Sequence, residues 1–222
     1  MEVYIIIGAS SELAISFKKL CVKRNIKTVG ISRNSMNKNL KDTFFLDDYL
    51  KDYEKIYKIL KNYKNYTVIF FNGALYENRP IQYPSEKEIA LTEKINCTIP
   101  SELYLRINKD FVDVKKYVFI SSMAAVKLRN KNFVYGYYKK KLESNILSQK
   151  LDNSLIFRFG KIFTNMSKNH STPPFSLKPE RAAEIILNKI HKKGVVYPNF
   201  GLFLIALVLH ITPSAALKKL RI

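Results

Sequence analysis

Tyr135 and Lys139 stand four positions apart in a stretch, 133–150, whose apolar spacing predicts a helix, so the two side chains share one helix face. A phenol beside an ammonium is a proton-transfer pair. The phenol alone, with an ordinary pKa near ~10, holds its proton too firmly at neutral pH, and a neighbouring cation favours the phenolate. Spacing alone is not diagnostic. Composition gives about two Tyr/Lys pairs at this separation, and four occur: Tyr57/Lys61, Tyr83/Lys87, Tyr135/Lys139 and Tyr137/Lys141. Position separates them. Ser122 ends an apolar run 13 residues before Tyr135, whereas the same count back from Tyr57, Tyr83 and Tyr137 reaches Phe44, Phe70 and Ala124. A hydroxyl so placed can hydrogen-bond an oxygen on which negative charge develops. Asn72-Gly73-Ala74 closes an earlier apolar run, and Asn96 follows Asn72 by 24 residues within a stretch predicted helical.

The elements that must position these residues alternate along the chain. Apolar runs predict strands over 3–7, 27–32, 43–46, 68–71, 117–120, 154–159 and 195–197. Helical spacing lies between them over 12–24, 50–63, 85–108, 133–150 and 179–192, with Pro100 expected to kink or break the third and Pro179 opening the last. Continuous apolar strands indicate a parallel sheet covered on both faces, and right-handed crossovers make it doubly wound. The expectation is an α/β fold with a mostly parallel seven-stranded sheet, helices on both faces, and ligands at the carboxyl ends of the strands.

The first strand runs into Gly8-Ala9-Ser10-Ser11-Glu12-Leu13-Ala14. A glycine permits the tight turn, and the helix amino terminus offers free N–H groups and partial positive charge to a pyrophosphate. Glu12 and Ala14 occupy the second and third glycine positions of the usual pattern. Pointing to solvent, Glu12 is harmless; pointing inward, it weakens phosphate binding. The second strand ends in Ser32-Arg33 rather than in a carboxylate, which suits a 2′-phosphate and predicts NADP over NAD.

Taken together, these residues resemble those of the short-chain dehydrogenase/reductase family, over nearly the whole chain. The family's TGxxxGxG corresponds to Ile7 through Ala14, its NNAG to Phe71-Asn72-Gly73-Ala74 with the last two inverted, and its YxxxK to Tyr135 and Lys139. Its PG after the sixth strand is Phe159-Gly160 here, without the proline. The resemblance implies a Rossmann-type fold, NADP(H) as cofactor with NAD(H) second, and no metal. It implies four catalytic residues, Asn96, Ser122, Tyr135 and Lys139. It implies cofactor contacts from Gly8, Ser10, Ser11, Leu13, Ser32, Arg33, Asp47, Asn72, Gly73, Ala74, Tyr135, Lys139, Gly160, Ile162 and Thr164. Tyr135 would then donate a proton to a carbonyl oxygen, Ser122 would hydrogen-bond that oxygen, Lys139 would hold the nicotinamide ribose, and Asn96 would hold a water on the proton relay. Two alternatives stay open: an epimerase or dehydratase of the extended relatives, against which stand only some 60 residues after the sixth strand, and a catalytically silent NADP-binding regulator.

Composition bounds the rest. With 222 residues, 47% hydrophobic and 25% charged, the chain reads as globular and as one domain over 1–199. Cys21 and Cys97 form neither a disulfide framework nor a ligand spacing, which fits a reducing, cytoplasmic compartment, and no secretory segment is expected. The net charge of +20 is concentrated in residues 121–222, which hold 18 basic and 4 acidic side chains. No helix-turn-helix, finger or aromatic RNA-binding strand accompanies it, so nucleic acid is not an expected partner.

The last segment, 200–222, opens with twelve residues, FGLFLIALVLHI, that are apolar all round and too short to span a bilayer. It reads as a subunit interface making a homo-oligomer, as a lid on the pocket, or as a membrane-docking helix aided by Lys218, Lys219 and Arg221. Its composition resembles the tails of short reductases in bacterial envelope polysaccharide pathways, including one acting on a polyprenyl-phosphate-linked keto sugar. That likeness implies a keto-sugar or other polar carbonyl substrate, small or lipid-linked, reduced at the inner face of the membrane. His170 lies in a short loop, 165–174, where the family carries its substrate lid, and reads as solvated; neither it nor His191 or His210 has a catalytic partner in reach by sequence.

Overall fold

Val3–Ile7 form the first strand (β1), and all five residues are buried because neighbours pair with it on both sides and helices cover both faces. The structure, a computed structural model, describes residues 2–33, 40–77, 83–129, 132–150 and 152–213. From β1 the chain steps outward through helix α1 (Glu12–Lys23) to β2 (Lys27–Arg33) and β3 (Thr43–Leu46). Helix α2 (Tyr53–Leu60) carries it back to β4 (Tyr66–Phe70), on the other side of β1. There follow α3 (Glu86–Glu93), α4 (Ile99–Asp110), β5 (Val114–Ser122), α5 (Phe133–Ser148), β6 (Ser154–Phe159), α6 (Pro179–Lys189), β7 (Gly194–Val196) and α7 (Phe200–Ile211). The seven strands lie in the order β3-β2-β1-β4-β5-β6-β7, and every adjacent pair is parallel. Strand order reverses between β1 and β4, and that reversal opens the crevice at their carboxyl ends.

Alternate strand residues feed two cores. Ile5, Ile7, Val68, Phe70 and Phe119 pack against Leu103, Tyr104 and Ile107 of α4 and Leu142 and Ile146 of α5. Tyr4, Ile6, Ile69, Val118 and Phe157 pack against Leu13, Phe17 and Cys21 of α1 and Ala182, Ala183 and Ile186 of α6. The doubly wound expectation holds, and Cys21 and Cys97 are both buried and free.

One local expectation is corrected and another is placed more closely. The helix over 50–63 is confined to Tyr53–Leu60, because carboxylates hold the preceding turn. Asp52 accepts from the N–H groups of Asp47 and Asp48, and Asp48 accepts from Leu50 N–H. The disruption expected at Pro100 lies just upstream of it, where the run over 85–108 divides into α3, a π-helical turn and α4, and the proline itself does not end its helix. It sits in the first turn of α4, where its missing N–H matters least, and a π-helical turn, Lys94–Thr98, joins α3 to α4 with the Ile99 N–H donating to Lys94 O. The wider turn accommodates the proline ring that a continuous α-helix would crowd.

Helix α7 packs one face on the domain. Leu202, Ala206 and Leu209 are buried against Met123, while Phe200, Phe203, Leu204, Leu207, Val208 and Ile211 remain exposed. A single helix laid on a surface buries only one face against it. Among the described residues no helix is long and apolar enough to cross a membrane. Lys218, Lys219 and Arg221 lie outside the described residues.

Candidate active site

A cleft of about 640 Å³ opens where the carboxyl ends of β1, β4, β5 and β6 meet, roofed by α7. Gly8, Asn72, Ser122 and Gly160 mark those strand ends on its wall, and Tyr135 and Lys139 reach it from α5.

Ser122 is the last residue of β5, and its Oγ accepts from Ala124 N at 3.1 Å, turning the chain into the short 3-10 helix Met123–Ala125. Helix α5 lies directly on that turn. A Cβ at Gly136 would come 2.7 Å from the Ala124 carbonyl oxygen, so only glycine lets the helix approach this closely and bring Tyr135 beside Ser122. Burial pushes the Tyr135 phenol up to about 12; the Ser122 hydroxyl, hydrogen-bonded to it, pulls down, and the Glu77 carboxylate adds to the rise. The lowering by a neighbouring lysine, expected from spacing, is not among these influences, and burial is the largest of them.

Lys139 is 2% exposed and donates to the carbonyl oxygens of Ile120 at 2.9 Å and Asn72 at 3.2 Å, with its Nζ 5.8 Å from the centre of the Tyr135 ring. Burial pulls its pKa down to about 8, against the opposing charge of Glu143. Asn96 sits in the π-helical turn, fully buried. Its side chain donates to Ala74 O at 2.8 Å and Thr92 O at 3.0 Å and accepts from Ala74 N at 3.3 Å. That amide latches the segment after β4, and Pro100 has no N–H to offer the Asn96 main-chain carbonyl.

The turn after β1 fits a dinucleotide. Gly8 takes φ +82°, and a Cβ there would lie 3.0 Å from Asn72 N, so the backbone must stay bare. Ser11 caps α1 by accepting from Ala14 N, leaving the Glu12 and Leu13 N–H groups without partners among the described residues. Ser32 donates to Ser10 at 2.8 Å and fixes that loop, while the Arg33 side chain stays exposed at the cleft. Asn72 Oδ1 is buried with no hydrogen-bond partner among the described residues, an orphan at the cleft wall that a ligand donor can satisfy. Glu12 takes the inward of its two alternatives: it lines the cleft, and its carboxylate accepts from Asn165 N at 2.8 Å, tying the start of α1 to the loop opposite.

Gly160, Ile162 and Thr164 line the cleft as expected, with Leu202 of α7 over Gly160. Asp47 and Ala74 are not part of its wall. Asp47 is exposed beyond β3, where Tyr49 faces the cleft instead, and Ala74 is turned toward Asn96. Among the described residues no cluster of His, Cys, Asp or Glu could hold a metal.

Three features escaped the sequence reading. Glu77 accepts from Val134 N at 3.0 Å and Tyr135 N at 2.9 Å, capping α5 from a distant loop. No local pattern announces a cap supplied 57 residues away. Glu143 receives Arg158 at 2.6 Å and the Ser121 hydroxyl at 2.5 Å, and Arg158 goes on to donate to Tyr197 at 2.7 Å. Here a signal existed, since Glu143 continues the Tyr135–Lys139 stripe by four residues and Arg158 stands alone in an apolar strand. Arg129 also lines the cleft.

No protein-family model and no curated protein matches the chain. Solved structures do. A short-chain dehydrogenase from Burkholderia cenocepacia in complex with NADP superposes with a TM-score of 0.72 at 14% identity, over 98% of this chain and 96% of that one. A carbonyl reductase from Pseudomonas aeruginosa gives 0.69 at 16% identity, over 89% and 96%. The Bordetella bronchiseptica enzyme WbmH in complex with NAD+ gives 0.66 at 14% identity, over 89% and 75%. This chain has the fold of the short-chain dehydrogenases and reductases over nearly its whole length.

Proposed function

We propose that this chain is an oxidoreductase that reduces a carbonyl compound with NADP(H), with NAD(H) the weaker cofactor. The supporting observation is the meeting of Ser122, Tyr135 and Lys139 in one cleft with the bare turn at Gly8. The first turn of α1, with Gly8, Ser10, Ser11 and Leu13, would hold the pyrophosphate. Arg33 would meet the 2′-phosphate, Lys139 and Asn72 the nicotinamide ribose, and Gly160, Ile162 and Thr164 the nicotinamide end. When bound, the reduced cofactor supplies hydride to the carbonyl carbon. A phenol held protonated up to about 12 is a donor rather than a base at neutral pH, which suits Tyr135 for delivering a proton to the carbonyl oxygen. The Ser122 hydroxyl donates to the same oxygen as charge grows. Buried Lys139 keeps its ammonium against two backbone carbonyls, 5.8 Å from the centre of the Tyr135 ring, and would return a proton to Tyr135 through a relay.

Calorimetric titration with NADPH and NADH, and loss of nicotinamide absorbance across a carbonyl panel, test this directly. Binding without turnover would favour the silent regulator, and neither binding nor turnover would end the proposal. Arg33→Ala is expected to weaken NADPH by about tenfold or more and leave NADH unchanged. Equal weakening of both would remove Arg33 from the 2′-phosphate.

The exposed apolar face of α7 favours a second element of the reading. We propose that it rests on an anionic lipid surface, at the inner face of the membrane, and that the substrate is a polar carbonyl compound of keto-sugar type, free or lipid-linked. Six exposed apolar residues on the side opposite the cleft, in a half-chain with 18 basic against 4 acidic side chains, support it. The protein should float with phosphatidylglycerol vesicles but not with phosphatidylcholine, and Leu204→Ser/Val208→Ser should sink it. Oligomers that the same double variant dissolves, with no flotation, would make the face a subunit interface instead.

A further inference from the structure

Between the 3-10 turn after Ser122 and the start of α5, Arg129 lines the cleft beside Asn132 and Tyr135. Its Nε is buried and has no hydrogen-bond partner among the described residues. All 18 Asp and Glu side chains of the chain lie within the described residues, and none of their ion pairs reaches Arg129. Arg158 shows how this chain treats a half-buried guanidinium when the purpose is structural, with three contacts to Glu143 and one to Tyr197. Arg129 has no such answer, and burial without counter-charge holds its pKa below the ordinary value. The neighbouring roof is apolar, formed by Met123, Leu202, Ile205 and Leu209. A half-buried cation whose Nε has lost water without gaining a partner is unfavourable until an anion enters.

We propose that Arg129 is the substrate anchor of the reductase, binding an oxyanion, a phosphate ester or a carboxylate, carried by the carbonyl compound. The assignment rests on the reductase reading for the carbonyl, and on the unpaired guanidinium alone for the anion. The planar fork of an arginine matches two oxygens of such a group at once, which fixes orientation as well as affinity. The carbonyl is then presented to Tyr135 and Ser122 by a contact made elsewhere on the substrate.

The test uses the full chain and matched ketones: dihydroxyacetone against its phosphate, and butanone against 3-oxobutanoate. The wild type should show a KM at least about tenfold lower for one anionic member than for its neutral partner. Arg129→Met should erase that ratio and Arg129→Lys restore part of it. A ratio near one in the wild type, or one that survives in Arg129→Met, overturns the proposal. A keto phosphate esterified to an isoprenoid chain in phosphatidylcholine vesicles separates a lipid headgroup from a free phosphate ester as the source. A second readout needs no turnover. With NADP+ saturating, inorganic phosphate should bind the wild type at least about tenfold more tightly than Arg129→Met by calorimetry, and equal binding overturns the anchor. Should no ketone turn over, the reductase reading fails while this arm still decides Arg129. The variant loses an unpaired charge, so its Tm should match or exceed that of the wild type; a clear fall would make Arg129 structural and end the proposal.

Discussion

Tyr135→Phe should lower kcat by about 10²–10⁴-fold, the usual contribution of a positioned proton donor, and leave NADPH affinity nearly intact. The substitution removes one hydroxyl and keeps the ring. Lys139 is held by the carbonyls of Ile120 and Asn72, and neither bond depends on the phenol. The backbone at position 135 stays fixed by its N–H to Glu77. Steady-state rates with calorimetry of NADPH binding separate the two effects, and undiminished turnover would remove the phenol from proton transfer. The pH dependence carries a sign. Burial lowers Lys139 to about 8, so its ammonium is lost as pH rises through that value while Tyr135, near 12, keeps its proton. Reduction should therefore weaken above pH about 8 through the lysine rather than through the tyrosine.

Glu143→Ala should cost about 3–5 kcal/mol of stability, read as a shift of the denaturant midpoint. The carboxylate is 3% exposed and answers both the Arg158 guanidinium on β6 and the Ser121 hydroxyl on β5. Removing it leaves a half-buried cation and a buried hydroxyl unpaired at the strand that carries Ser122. Glu143→Gln should cost less, because an amide oxygen can still accept from Ser121. A loss below about 1 kcal/mol would mean that solvent replaces the carboxylate. A second consequence follows for Lys139. The Glu143 charge raises its pKa, so the alanine variant should lose the ammonium at lower pH and its activity should fall off earlier.

The strands and their order of appearance were legible because a parallel sheet buries both faces and prints unbroken apolar runs such as Val3–Ile7. Ser122, Tyr135 and Lys139 were legible because a strand end and one helix face bring them to the same wall. What lay outside local pattern was long-range. Glu77 caps a helix from another loop, and Arg129 differs from a surface arginine by a buried Nε that has no partner among the described residues. Spacing reveals the charge neighbouring Tyr135 and conceals the burial that raises its pKa. Asp47 was placed on the cleft by family likeness, while the turn set by Asp48 and Asp52 offers Tyr49 in its stead.

The widened turn at Lys94–Thr98 inserts one extra residue into an otherwise regular rod, an angular offset of about 100° between its halves. In an undistorted rod Asn96 would share a stripe with Leu103 and Ile107 and point beneath the sheet. The offset swings the amide round to Ala74 while the aliphatic stripe stays in place. Deleting one residue there, other than Asn96, would restore a regular α-turn and leave both halves facing as they do, whereas a deletion elsewhere along the rod would rotate one half against the other and set latch and core in competition.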